Sequence, residues 1–108
     1  MSPAKPKTRK VLRGHAVYYA HRHKGRRMAC GGRYHPNKMV AAHRSLACGT
    51  RLRVRTRRGE EVVVSVTDRG PFGNARTILD LPRRAARRLG YIDSGRVWVR
   101  AEVLGRSR

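Results

Sequence analysis

V-V-V-S-V-T-D-R-G-P-F, residues Val62 to Phe72, is an apolar run that ends at a carboxylate and a Gly-Pro pair. β-Branched residues bounded by Gly70-Pro71 read as a buried strand, and its last side chain, Asp68, is delivered to a turn. Asp68 therefore sits on a rigid element and is exposed at its tip. Two uses are open to it there: chemistry on a ligand, or an Asx turn that bonds its own backbone ahead of Gly70-Pro71. Other stretches must decide between them.

Immediately upstream, R-L-R-V-R-T (Arg51 to Thr56) alternates strictly. Leu52 and Val54 face a core while Arg51, Arg53 and Arg55 form a cationic stripe. The turn Arg57-Arg58-Gly59-Glu60 and the returning run Glu61 to Thr67 complete a hairpin. Downstream, T-I-L-D-L (Thr77 to Leu81) reads as a short strand leading to Pro82 at a helix start. In that helix Ala85 and Leu89 stack one turn apart, Arg83, Arg84, Arg87 and Arg88 take the exposed arc, and Gly90 is the C-cap.

Further out, H-A-V-Y-Y-A (His15 to Ala20) has strand composition, with Tyr18 and Tyr19 on opposite faces, one in the core and one on the surface. His21 to Asn37 is a long, polar, Gly-rich connection, with His21, His23 and His35 read as solvated residues without a role. Met39 to Ala42 is a short apolar run ahead of His43, and Leu46 to Thr50 turns the chain. Arg96 to Leu104 alternates as a final strand. Residues 1–13 read as a disordered basic arm, residues 14–104 as one domain and residues 105–108 as a polar tail.

The chain has 108 residues, enough for one core that buries roughly 60 to 65% of the unfolded surface. About six short strands and one small late helix give an all-β domain, and closure into a barrel hides the edges. The 27 Lys and Arg against 6 Asp and Glu, a formal net charge of +21, point to a polyanion or anionic surface as partner. Nucleic acid and anionic cell-wall polymers both fit that charge. No finger, helix-turn-helix or RNP motif singles out the former, although so basic a chain binds nucleic acid nonspecifically.

Cys30 and Cys48 suggest a disulfide staple, worth about 3 kcal/mol for a loop of this length. Zinc held by the two Cys and two of the five His is the alternative, and the absence of C-x-x-C or H-x-x-x-H spacing argues against it. No metal or other cofactor is expected. No segment is long and apolar enough to cross a membrane, and no signal peptide is visible in this chain.

G-H-A-V-Y-Y-A from Gly14, A-C-G at Cys30, V-A-A-H-R-S-L-A-C-G-T from Val40, and V-T-D-R-G-P-F through I-L-D-L-P-R-R-A-A-R-R-L-G occur in that order. Together they resemble the rare lipoprotein A (RlpA) family, relatives of expansins and barwins. The resemblance implies a six-stranded double-psi β-barrel with one or two short helices and a groove for a glycan strand. It also implies lytic transglycosylation of peptidoglycan, with the Asp of D-R-G-P, here Asp68, as the catalytic carboxylate and the His of A-A-H, here His43, lining the same groove. Some members pair cysteines at these two places, which supports Cys30 with Cys48. On this reading the protein is an extracytoplasmic monomer whose partner is the peptidoglycan glycan strand.

One departure bears on mechanism. Gly32 stands where the family usually has Glu, and His35 where Asp is common. Glycosidases that hydrolyse need two carboxylates. A transglycosylase closes an anhydro ring with a hydroxyl of the same sugar, so one carboxylate of raised pKa can give and take the proton in succession. Asp68 is then the general acid and base, and Asp80 is read as part of the approach to the helix. His43 polarises or orients the sugar, or is structural at a strand end. Tyr18 or Tyr19 stacks on the sugar, and Arg69 steadies anionic groups. A non-catalytic, expansin-like polysaccharide binder is the alternative that Gly32 motivates.

Overall fold

A computed structural model describes residues 10–106. Six strands, β1 (Val11–Tyr18), β2 (Val40–Ala42), β3 (Thr50–Thr56), β4 (Glu61–Asp68), β5 (Thr77–Leu81) and β6 (Val97–Arg106), close into a barrel in the order β1-β5-β2-β4-β3-β6. The β1-β5 and β2-β4 pairs are parallel and the other four antiparallel. One α-helix, α1 (Arg83–Leu89), and one 3-10 turn (His21–His23) complete the described chain. The architecture is the expected six-stranded double-psi β-barrel.

The hairpin follows from the sequence pattern. In β3 burial alternates strictly, Leu52 and Val54 inward and Arg51, Arg53 and Arg55 outward, and Arg55 pairs with Glu61 at the closed end. Strand β4 alternates too, so Val63 lies 43% exposed between buried Val62 and Val64. Only one face of the apolar run is core. The barrel interior is filled by Leu52, Val54, Val64, Val66, Leu79, Leu81 and Val99, all essentially inaccessible, with Ala85, Ala86 and Leu89 of α1 packed over one end. Burying each large side chain contributes about 1.5–3 kcal/mol. Helix α1 ends at Gly90 in the left-handed conformation, as the C-cap reading expects.

The domain limits differ from the expectation at both ends. Strand β1 starts at Val11, ahead of His15, because Val11, Leu12 and Arg13 pair with Glu102, Ala101 and Arg100 of β6. Leu12 also packs on the core, an anchor the surrounding basic residues obscured. Residues 105 and 106, expected in a polar tail, continue β6 opposite Arg51 and Thr50. The rest of the expected arm, residues 1–9, and residues 107–108 lie outside the described residues.

Two features of the ladder position the site. At Gly14 a Cβ atom would lie 2.7 Å from Ile78 Cγ2 and 2.8 Å from the Arg76 carbonyl, so only glycine lets β1 approach β5 this closely. Between β2 and β4 the register slips by one residue, Ala41 opposing Val66 but Ala42 opposing Asp68. Ala42 also pairs with Asp80 of β5 on its other side.

Candidate functional site

Because β2 lies between β4 and β5, Asp68 and Asp80 stand abreast on either side of Ala42, two strand spacings or roughly 9–10 Å apart at their Cα positions. Both line a cleft of about 300 Å³ whose wall also includes Tyr19, Tyr34, Arg69 and Phe72. Alternation along T-I-L-D-L turns Leu79 and Leu81 into the barrel and leaves Asp80 on the other face, toward the cleft.

Three donors converge on Asp68. The Tyr19 hydroxyl donates to Oδ2 at 2.9 Å, and the backbone N–H groups of Ala29 and Arg69 donate to Oδ1, each at 2.9 Å. Asp68 thus bonds the N–H of the next residue, Arg69, and not that of Gly70 two residues on as an Asx turn would, and it is also tied to a residue 39 positions away and to a tyrosine of the cleft wall. Tyr19 is buried with Met28, Tyr34 and Ala42 in a second small cluster beneath the cleft, its ring 4.3 Å from that of Tyr34. Burial first, then the hydrogen bond to Asp68, pushes the Tyr19 hydroxyl far above the usual phenol range. It therefore stays a donor.

Asp80 is in a different state. Its Oδ1 is buried without a hydrogen-bond partner among the described residues. Burial, and after it the charge of Asp68, raise its pKa to about 7. Burial thus favours the protonated form of this group.

The long loop is fastened over this pair. Cys30 and Cys48 form a disulfide, so the zinc alternative does not apply, and the Cys30 N–H donates to the Thr67 carbonyl at 2.9 Å. Met28 is buried against Thr67, whose hydroxyl points at its sulfur at 3.2 Å. Arg44 latches the β4–β5 connection by donating to the carbonyls of Pro71 (2.7 Å), Thr77 (2.8 Å) and Asn74. The Gly70-Pro71 peptide within this connection is cis, and Phe72 beyond it lies 67% exposed at the cleft rim.

The residues expected at the site divide. Asp68, Tyr19 and Arg69 line the cleft. The Arg69 guanidinium, however, donates to the carbonyls of Leu46 (2.7 Å) and His43 (3.2 Å), which commits it to holding the loop. His43 is not part of the cleft wall. Its Nδ1 accepts from the N–H groups of Ser45 (3.1 Å) and Leu46 (3.0 Å), its own N–H donates to the Asp68 carbonyl at 3.1 Å, and burial followed by nearby cations lowers its pKa. Tyr18 points elsewhere, donating to the Ile92 carbonyl at 2.8 Å and packing edge-on against Tyr91.

The cleft residues left without a role by the sequence include Asp80, Tyr34, His23 and Phe72, and the pair Arg26 and Arg27. A lone acid inside an apolar strand was the available signal for Asp80. Tyr34 and His23 are brought in by the fold of the polar loop, which carries no periodicity. Gly32 adopts a positive φ of 76°, and a Cβ there would meet only Met28 Cε at 3.7 Å.

The family model described as "Lytic transglycolase" matches residues 11–101. A probable endolytic peptidoglycan transglycosylase RlpA from Nostoc sp. is 57% identical over 83 residues, 76% of this chain and 22% of that protein. Another from Aquifex aeolicus is 42% identical over 96 residues, 88% of this chain and 42% of that protein. The chain thus spans well under half the length of these two relatives. Among solved structures, an apo expansin from Clavibacter michiganensis superposes with a TM-score of 0.70 at 27% identity, covering 92% of this chain and 52% of that one. A Streptomyces papain inhibitor has the same TM-score at 24% identity, covering 87% and 94%, and shares the fold. With a match running from β1 into β6 on a closed barrel of this topology, the chain belongs to the RlpA-like lytic transglycolase family.

Proposed function

We propose that this chain cleaves the glycan strands of peptidoglycan without water, leaving 1,6-anhydromuramyl ends, and that Asp68 and Asp80 share the proton transfers. The observation that carries the reading is the unlike pair in one cleft: Asp80 buried with a pKa of about 7, Asp68 held by three donors. A buried acid of raised pKa facing a second, hydrogen-bonded carboxylate is a usual basis of an acid and base assignment. Protonated Asp80 gives its proton to the glycosidic oxygen as the C1–O bond breaks. The Asp68 carboxylate faces the positive charge that develops at C1 and takes the proton of the C6 hydroxyl as that oxygen closes on C1. The proton then passes back to Asp80, and no water is consumed.

Tyr19 fixes Asp68 through its hydroxyl. Phe72 offers an exposed ring at the cleft rim for the apolar face of a sugar. Arg26 and Arg27 at the cleft wall give it a positive field suited to the carboxylate of muramic acid. This substrate places the protein outside the cytoplasm, where a disulfide persists.

Incubation with peptide-free peptidoglycan strands and mass spectrometry of the products tests the reading. Anhydromuramyl ends are expected, with the yield lowered by about 10²-fold or more in Asp68→Asn and in Asp80→Asn. Absence of such ends, or full yield from either variant, counts against it. Gly32 favours one second reading, a binder that grips glycan without cutting it, since the usual acid is missing there. An Asp68→Asn protein that pellets with insoluble peptidoglycan as the unaltered protein does, while neither releases fragments, would establish that reading instead.

A further inference from the structure

On the barrel wall opposite the cleft, Arg13 of β1, Arg100 of β6 and Arg55 of β3 stand side by side. Arg100 pairs in register with Arg13 on one flank and Arg55 on the other, and all three are exposed. The row lies on the three strands that carry neither carboxylate, its central strand β6 two places from both β4 and β5, and none of the three arginines lines the cleft. The row opens into a pocket of about 210 Å³ whose wall also includes Arg57 and Trp98.

Like charges directly opposite across a ladder are destabilising. The neighbouring row avoids this: Arg53 pairs with Glu102 at 3.2 Å and with Glu61 at 3.2 Å. Arg55 reaches Glu61 at 3.1 Å, whereas Arg13 and Arg100 have no carboxylate partner among the described residues. Trp98 anchors the pocket, with the His15 ring edge-on at 5.3 Å and the Arg57 guanidinium over its own ring at 5.3 Å. That stacked arginine leaves this face of the indole without an open platform for a nucleobase, while the forked guanidinium donors around the pocket match the oxygens of phosphate.

We propose that this face is a second binding site, distinct from the cleft, that holds a phosphodiester-linked polyol polymer of the cell wall, of the poly(glycerol phosphate) kind. The choice of a wall polymer over nucleic acid rests on the wall-acting reading of the cleft and on the covered indole face. Bound there, the polymer neutralises the arginine row and keeps the opposite face of the barrel turned toward the glycan.

Trp98 is the single tryptophan of the chain, so intrinsic fluorescence reports on the site directly. The protein is titrated with purified poly(glycerol phosphate) at about 0.15 M salt. A saturable change is expected, weakened about tenfold in Arg100→Gln and lost in Arg13→Gln/Arg100→Gln, since each change removes a guanidinium contact to phosphate. The double variant should melt no lower than the unaltered protein, since it relieves a like-charge pairing, and still generate anhydromuramyl ends from peptide-free strands. Unchanged affinity in the double variant overturns the proposal. So does tighter binding of single-stranded DNA than of the polymer with the same dependence on Arg13 and Arg100, which would make the row a nucleic-acid site. Polymer binding without cleavage by the unaltered protein would sink the reaction proposed for the cleft and leave this site standing.

Discussion

Asp68 and Asp80 are carried by different strands yet pair with the same residue, Ala42, on its two sides. The barrel closure that brings β4 and β5 onto β2 therefore creates a two-acid cleft that neither strand contains alone. Asp80 needs Asp68 nearby as well as burial, since the neighbouring negative charge adds to desolvation in raising its pKa.

Asp80 should give a linked pH signature in stability and activity. Its folded pKa is raised from 3.8 to about 7, so the native state binds the proton more tightly than the unfolded chain. The stability this contributes is full below about pH 4, declines as pH rises toward 7 and is gone above it. Asp80→Asn should therefore gain stability at pH 8, by up to about 4 kcal/mol, and show little gain at pH 4. Thermal melts at the two pH values measure this. Cleavage by the unaltered protein should fall above pH 7, as the acid loses its proton.

Tyr19→Phe removes the donor to Asp68 Oδ2 and leaves the ring packed on Tyr34. A loss of about 1–2 kcal/mol in stability is expected from the hydroxyl. The cleavage rate should fall by about tenfold or more, because a misplaced carboxylate loses its alignment with the sugar. Comparison of kcat with KM separates this from a binding defect, since kcat should carry most of the loss.

Opening the Cys30–Cys48 link, by reductant or by Cys30→Ser/Cys48→Ser, removes a closure of sequence separation 18. Denaturant melts should show a loss of about 3 kcal/mol. The Ala29 N–H that serves Asp68 lies next to Cys30, so activity should fall under conditions where the barrel remains folded.

Arg44→Lys keeps the charge but loses the planar fork that bonds the carbonyls of Pro71, Asn74 and Thr77. The β4–β5 connection should then be cut faster by protease between residues 71 and 76. KM should rise severalfold as Phe72 loses its fixed position. The same protease digestion of Arg44→Lys bound to glycan should recover the protection.

The sequence was most legible where period two was clean. R-L-R-V-R-T and its returning partner predict the β3–β4 hairpin and its inward residues, and the Pro82 and Gly90 signals bracket α1. The limits were misread at Val11 and Arg106, where strand pairing overrides basic composition. Asp68 stood out because a strand ends on it. Asp80 did not, because it stands mid-strand and its importance comes from a pairing with Ala42 that no local pattern encodes. For His43 and Arg69 the sequence points to substrate, while in the structure His43 Nδ1 accepts from two loop N–H groups and one Arg69 guanidinium nitrogen donates to two loop carbonyls, contacts that no local pattern encodes.

The one-residue slip between β2 and β4 makes Thr67 a spacer. Its hydroxyl can be traded, but its length of chain cannot. Deleting a single residue between Val66 and Arg69 would carry the acid past its seat beside Ala42, whereas residues added at the far end of the hairpin, around Gly59, would leave that seat untouched. Across homologous chains, then, insertions should gather at the Gly59 turn, and the count from Val66 to Arg69 should stay constant.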